Sequence, residues 1–189
     1  MDVGANIGIY SIWAHRRYQP RAIYCYEASP QTFAYLQDNT GRVVDSEITA
    51  IGAFNRAIAR TSGQKLVLHQ SPLISGISTL LDESKIGWVR ELSASRELVT
   101  HDVVTSTVSD EIVANEIGNV DLLKIDVEGY FMEVLGGISD VDFRRIGNLV
   151  IEIDYADEVA TSPAAVESFL QARGYATECQ DLTLHAWRS

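Results

Sequence analysis

The chain has 189 residues, long enough to bury the core of a single domain. Hydrophobic residues make up 46 % and charged residues 22 %, and no apolar run approaches the roughly 18 residues that a bilayer span needs. The formal net charge of −11 argues against a polyanionic partner, so neither nucleic acid nor an anionic membrane surface is expected.

The chain opens on "MDVGANIGIY", where Gly4 and Gly8 bracket Asn6. Glycines let a backbone approach a ligand closely, and the helix start behind them favours negative charge or polar oxygens. Taken alone, the loop reads equally well as a tight turn. Only Met1 to Val3 precede it, less than the strand that usually carries such a loop, so the natural product is expected to begin upstream with an apolar strand and a helix. Arg16, Arg17 and Arg21 fall at the end of the helix after the loop, where cations suit the dipole and meet solvent.

"RAIYCYE" is an apolar strand that closes on Glu27. An acid at the second strand tip, about 20 residues beyond a glycine loop, is placed to accept both hydroxyls of a ribose. Cys25 within this strand reads as a buried thiol, and Cys179 has neither disulfide nor metal-ligand spacing with it. That usage, and the absence of a basic segment leading into an apolar run, point to a reducing, cytoplasmic setting. A helix then starts with Ser29 as N-cap and Pro30 at its first position, with Phe33 and Leu36 at helical spacing. "ITAIGAFN" is the third strand.

Residues 64–104 break the alternation. "QKLVLHQ" and "ELVTHDVV" read as strands on either side of the loop "SPLISGIST", a β-rich insertion. Ser75, Ser78 and Thr79 are candidates to line a substrate pocket. His69 and His101 are second-choice bases, since a lone histidine is more often structural. A helix over 108–116 leads into "VDLLKIDVEG", an apolar run expected to be a central strand buried on both faces. Asp126 ends that strand and Glu128 follows. Carboxylates at such a rim can bind a cationic group or take a proton, although acids also cap helix starts. Asp126, Glu128 and Asp154 could together hold Mg²⁺ or Ca²⁺, but their spacing does not demand it and no metal is assigned. A helix over 130–136, the strand "NLVIEID", a helix begun by Ser162 and Pro163 and stopped by Gly174, and a hairpin turning near Gln180–Asp181 complete the chain. Strands alternating with helices give a doubly wound, mostly parallel α/β sheet with a C-terminal antiparallel hairpin, the outline of a class I methyltransferase.

"DVGANIGIYS", "YEASPQTFAYLQDN", "NRAIARTSGQ", "GISTL", "TVSDEI" and "DLLKIDVEGYFMEVLGG", in this order, resemble the FkbM-type family of S-adenosylmethionine-dependent methyltransferases. The likeness runs from Asp2 to about Ile153, and "DLLKIDVEG" is its most distinctive part. It implies one domain, a cofactor of S-adenosylmethionine, and O-methylation of a sugar or secondary-metabolite hydroxyl on a small-molecule or glycan acceptor. It carries the cofactor loop onto Asp2, Gly4, Ala5, Asn6 and Gly8, and the ribose acid onto Glu27 with Ala28 beside it. Asn55 to Ala57 take the segment near the adenine. Asp126 and Glu128 take the strand-end acids facing the reaction centre. If Asp126 holds the cofactor's ammonium group, Glu128 is the better general base. The chain departs from the family at Phe131 and Ser109, where acids are common, and at Ala28, where proline is common. A nicotinamide oxidoreductase shares the loop and ribose acid, but the G-x-N-x-G spacing and "KIDVEG" count against it. A degenerate, non-catalytic binding module is the other rival.

Overall fold

The computed structural model describes residues 1–43, 49–74, 76–81, 86–92, 97–154 and 161–188. The chain divides into two compact units, one of Met1–Ala57 with Lys65–Val104 and one of Ile58–Gln64 with Thr105–Ser189. Among the described residues no helix is long and apolar enough to cross a membrane.

In the first unit, β1 (Asp2–Val3), β2 (Ala22–Glu27) and β3 (Ala50–Asn55) run parallel, with Val3 beside Tyr26 and Glu27 beside Asn55. Between them lie α1 (Ile9–Tyr18) and α2 (Pro30–Gly41). The Ser29 side chain caps α2 by accepting from the Thr32 amide, and Pro30 stands where its missing N–H costs nothing. His15, Arg16 and Arg17 occupy the last turn of α1, while Arg21 lies beyond it. Gly8 has a φ of +89°, and a Cβ there would sit 2.9 Å from Leu36 Cδ1, so the loop needs glycine for both conformation and helix packing. Ala5, Ile23, Cys25 and Leu36 form the core between sheet and helices. Burial pushes the Cys25 thiol up to about 12, which leaves it an inert core group.

The same unit carries the accessory sheet. β5 (Lys65–Gln70) pairs antiparallel with β6 (Ser78–Thr79) on one side and β7 (Val99–Ser106) on the other. The two-residue strand β4 (Ala57–Ile58) precedes it, and Ala57, Leu68 and Val103 form its buried centre. Helix α3 (Gly87–Leu92) was not expected from the sequence; six residues are too few to display an apolar period. Ser75 lies outside the described residues.

In the second unit, β8 (Val120–Ile125) and β9 (Ile146–Glu152) are parallel. The hairpin of β10 (Ala176–Gln180) and β11 (Thr183–Trp187) adds to β9 antiparallel. Asp181 and Leu182 turn it with φ of +47° and +66°, the left-handed pair that matches strand twist. Leu123, Ile125, Leu149 and Ile151 are wholly buried, whereas Asp121 on β8 is exposed, so β8 is covered on both faces only toward its end. Helix α4 (Val108–Ala114) precedes β8, α5 (Phe131–Gly136) and α6 (Asp140–Phe143) lie between β8 and β9, and α7 (Pro163–Gln171) comes between β9 and β10. Ser162 caps α7 and Gly174 stops the chain beyond it at φ +84°. A Cβ on Gly137 would stand 2.2 Å from the Ala59 carbonyl oxygen, so this glycine sets how closely α5 approaches that segment.

Candidate functional site

The amides of Gly4 and Ala5 both donate to the Tyr26 carbonyl at 3.0 Å, which ties the glycine loop to β2 just before its last residue, Glu27. The loop then turns through Asn6, at φ +50°, and the Asn6 amide donates to Glu27 Oε2 at 3.0 Å. From the other side the Ser29 amide donates to Glu27 Oε1 at 2.8 Å. Glu27 is only 6 % exposed. Burial pushes its carboxyl up to about 7; the Ser29 and Asn6 amides pull it down, and Asp2 pushes it up. Asn6 Oδ1 is buried and has no hydrogen-bond donor among the described residues. Such an oxygen beside an oriented carboxylate offers acceptors to a ligand that brings hydroxyl or amino donors. A nucleoside ribose fits that demand.

The other loop residues brace this arrangement. Ser11 donates to Asp2 Oδ2 at 2.6 Å, and the Cys25 thiol donates to Ser11 at 3.1 Å, so Asp2 is engaged within the core and not at the surface. Asn55 Nδ2 donates to the carbonyls of Glu27 and Ala28 at 2.8 and 3.1 Å, fixing the two strand ends together. Ala28 packs against the accessory-sheet core, and Ala57 is buried within it as part of a strand, so the structure does not open Ala57 to a ligand as the resemblance implied.

The second unit gathers acids. Asp126 stands one residue past β8 and accepts from Lys124 Nζ at 2.9 Å. Glu128 follows with a φ of +49°, a conformation rare for a side-chain-bearing residue and often found where function holds it. Burial, then Asp154, Asp126 and Glu152, push the Glu128 carboxyl up to about 8. Glu152 is raised to about 7, by burial first and then Asp126 and Asp154. Asp154 is raised by burial and Asp126.

Carboxyl oxygens of Asp126, Glu152 and Asp154 lie within 4.8 Å of one another. Asp126, Glu128 and Asp154 are the acids expected to gather; in the folded chain Glu152 takes the place of Glu128 in that close trio, and Glu128 interacts with it through charge. The signal was present in "IEID", because residues two apart on a strand point to one side. Acids this crowded can share a divalent cation, and exposed acids also meet in this way without one.

His69 is buried opposite Thr79 in the accessory sheet, and His101 is half-buried on β7. Of the two departures in the second unit, Ser109 accepts from the Ser139 amide at 2.8 Å, and Phe131 is wholly buried in the core. Both serve local structure. Gln70, buried beneath Ser29, was not singled out from the sequence; a lone polar residue ending a strand carries no pattern that would mark it.

A family model described as the methyltransferase FkbM domain matches residues 2–177. "Methyltransferase 1" of Beauveria bassiana is 29 % identical over 177 residues, covering 89 % of this chain and 70 % of that one. "Methyltransferase sdnD" of Sordaria araneosa is 26 % identical over 193 residues, covering 93 % and 72 %. The "31-O-demethyl-FK506 methyltransferase FkbM" of Streptomyces tacrolimicus is 28 % identical over 174 residues, covering 82 % and 65 %. Among solved structures, a precorrin-6y C5,15-methyltransferase from Geobacter metallireducens is similar with a TM-score of 0.51 and 16 % identity, over 100 % of this chain and 78 % of that one. That likeness shows a Rossmann-like α/β fold with a mostly parallel sheet.

Proposed function

The chain belongs to the FkbM methyltransferase family, and from that premise we propose that it methylates a hydroxyl of a small-molecule or glycan acceptor, with S-adenosylmethionine as donor. The reading rests above all on Glu27, a buried carboxylate oriented by the Asn6 and Ser29 amides beside the unmatched Asn6 Oδ1. Oxygen as the acceptor atom draws on the Streptomyces relative, whose name specifies an O-demethyl substrate. Neither cysteine is in a disulfide, which suits a reducing, cytoplasmic setting.

Bound S-adenosylmethionine supplies an electrophilic methyl group on a sulfonium. Glu27 would accept from the ribose hydroxyls, and Asn6 Oδ1 would take a further donor. A sugar hydroxyl is a weak nucleophile, so a general base within reach raises its reactivity. Glu128 is that base. Its burial among Asp154, Asp126 and Glu152 makes its carboxylate a stronger proton acceptor than a free glutamate. Asp126, held by Lys124, acts as an anion toward a cationic group. Taking up a proton would leave Glu128 neutral and relieve its repulsion from Asp154, Asp126 and Glu152.

Thermal unfolding with two ligands tests the reading, because a ligand that binds only the folded state raises its melting temperature. S-adenosylhomocysteine is expected to raise it and NAD is not. A rise with NAD alone would overturn the reading and favour a nicotinamide cofactor. A rise with S-adenosylhomocysteine but no turnover across sugars and polyketide-like alcohols would favour a binding module.

A further inference from the structure

Gln70 ends β5 of the accessory sheet and is 3 % exposed. Its Oε1 accepts from the Ser29 hydroxyl at 2.7 Å, and its Nε2 donates to Thr32 Oγ1 at 3.0 Å. The Ser29 hydroxyl accepts in turn from the Thr32 amide at 3.2 Å, while the Ser29 amide donates to Glu27 Oε1. Ser29 and Thr32 are also buried, so solvent has no easy entry to replace a lost partner.

We propose that Gln70 is a positioning residue for the cofactor acid: from the accessory sheet it orients Ser29, and Ser29 orients the Glu27 carboxylate. The proposal rests on the reading that Glu27 binds the cofactor. A serine hydroxyl has one proton and rotates freely. Gln70 Oε1 accepts the hydrogen bond that this hydroxyl donates and so turns a lone pair toward the Thr32 amide. The same amide group grips Thr32, which fixes the first turn of α2 and the residue before it. Asn55 also braces this strand end, but through the Glu27 carbonyl and not its carboxylate. Gln70 therefore joins the accessory sheet to the Glu27 strand end by hydrogen bonds, beside the apolar packing of Ala28.

Calorimetric titration of the full chain with S-adenosylhomocysteine across neutral pH tests this, using wild type, Gln70→Met and Leu68→Ala. Leu68 is also buried in β5, in the Ala57–Val103 cluster against which Ala28 packs, and makes none of the hydrogen bonds described for Ser29, so it separates apolar packing at this strand end from the orientation of Ser29. Gln70→Met is expected to weaken binding about tenfold, the scale of one buried hydrogen bond. It also moves the pH midpoint of affinity upward, because a loosened Ser29 amide stabilises the carboxylate less. Asp2 on β1 is the charged side chain that acts on Glu27, and Gln70→Met leaves it in place. Leu68→Ala is expected to lower the melting temperature without moving that midpoint. Wild-type affinity in Gln70→Met overturns the proposal, as does an equal loss and midpoint shift in Leu68→Ala. If Gln70→Met does not fold, Gln70→Asn withdraws the amide by one methylene and gives the same test, with unchanged affinity overturning it. Failure of the wild type to bind removes the underlying cofactor reading, and that outcome is distinct from a failure of Gln70 alone.

Discussion

Glu27 and Glu128 are both glutamates at or just beyond the end of a parallel strand, and both carboxyls are raised by burial. Their neighbours act on them in opposite ways. Two backbone amides hold Glu27 and favour its charged form. Three carboxylates crowd Glu128 and disfavour its charge. A carboxylate held by fixed donors suits recognition, because it stays put and accepts from hydroxyls. A carboxylate crowded by like charge suits proton transfer, because a proton relieves the crowding.

Four measurements would break or sharpen this contrast. Glu128→Gln is expected to lower turnover by roughly 10²–10⁴-fold while S-adenosylhomocysteine affinity stays near wild type; retained turnover would remove Glu128 from the base role. Glu27→Gln keeps the shape but loses the charge-assisted bonds, so affinity is expected to fall roughly 10–100-fold in calorimetry. A large turnover loss at unchanged affinity in that variant would erase the difference between the two glutamates.

The third measurement is pH dependence. Cofactor affinity should rise as pH passes about 7, where Glu27 ionises, and kcat/KM should rise as pH passes about 8, where Glu128 does. Stability runs the other way. Both carboxyls are raised above the ordinary 4.5, so the native state holds these protons longer than the unfolded chain. Their contribution to stability is present below about 4.5 and is lost as pH rises to about 7 for Glu27 and about 8 for Glu128. Melting scans of the ligand-free chain should show this decline, with Glu27→Gln flattening its lower part and Glu128→Gln its upper part. The smallest effect is expected at Glu133. Its bidentate pair with Arg60 is exposed, so Glu133→Ala should cost no more than about 0.5 kcal/mol in chemical denaturation.

Much of this was readable in advance. The Ser29 and Ser162 caps, the strand closing on Glu27, the apolar core of β8 and β9, and the terminal hairpin each follow from local chemistry within a few residues. Helices α3 and α6 escaped because six and four residues leave no period to detect. Phe131 and Ser109 drew attention as departures from a motif, yet one fills the core and the other ties down the Ser139 amide.

The sequence by itself determined the longer elements, their order and the residue types at each strand tip, because caps, glycines and hydrophobic periods act over a turn or two of chain. Only the tertiary structure decided what each acid became. The carboxyl of Glu27 is set by amides 2 and 21 residues away along the chain, and by a glutamine 41 residues from Ser29. The place of Glu152 among Asp126 and Asp154 depends on β9 lying parallel beside β8. Desolvation and charge depend on distance through space, which a linear reading does not contain.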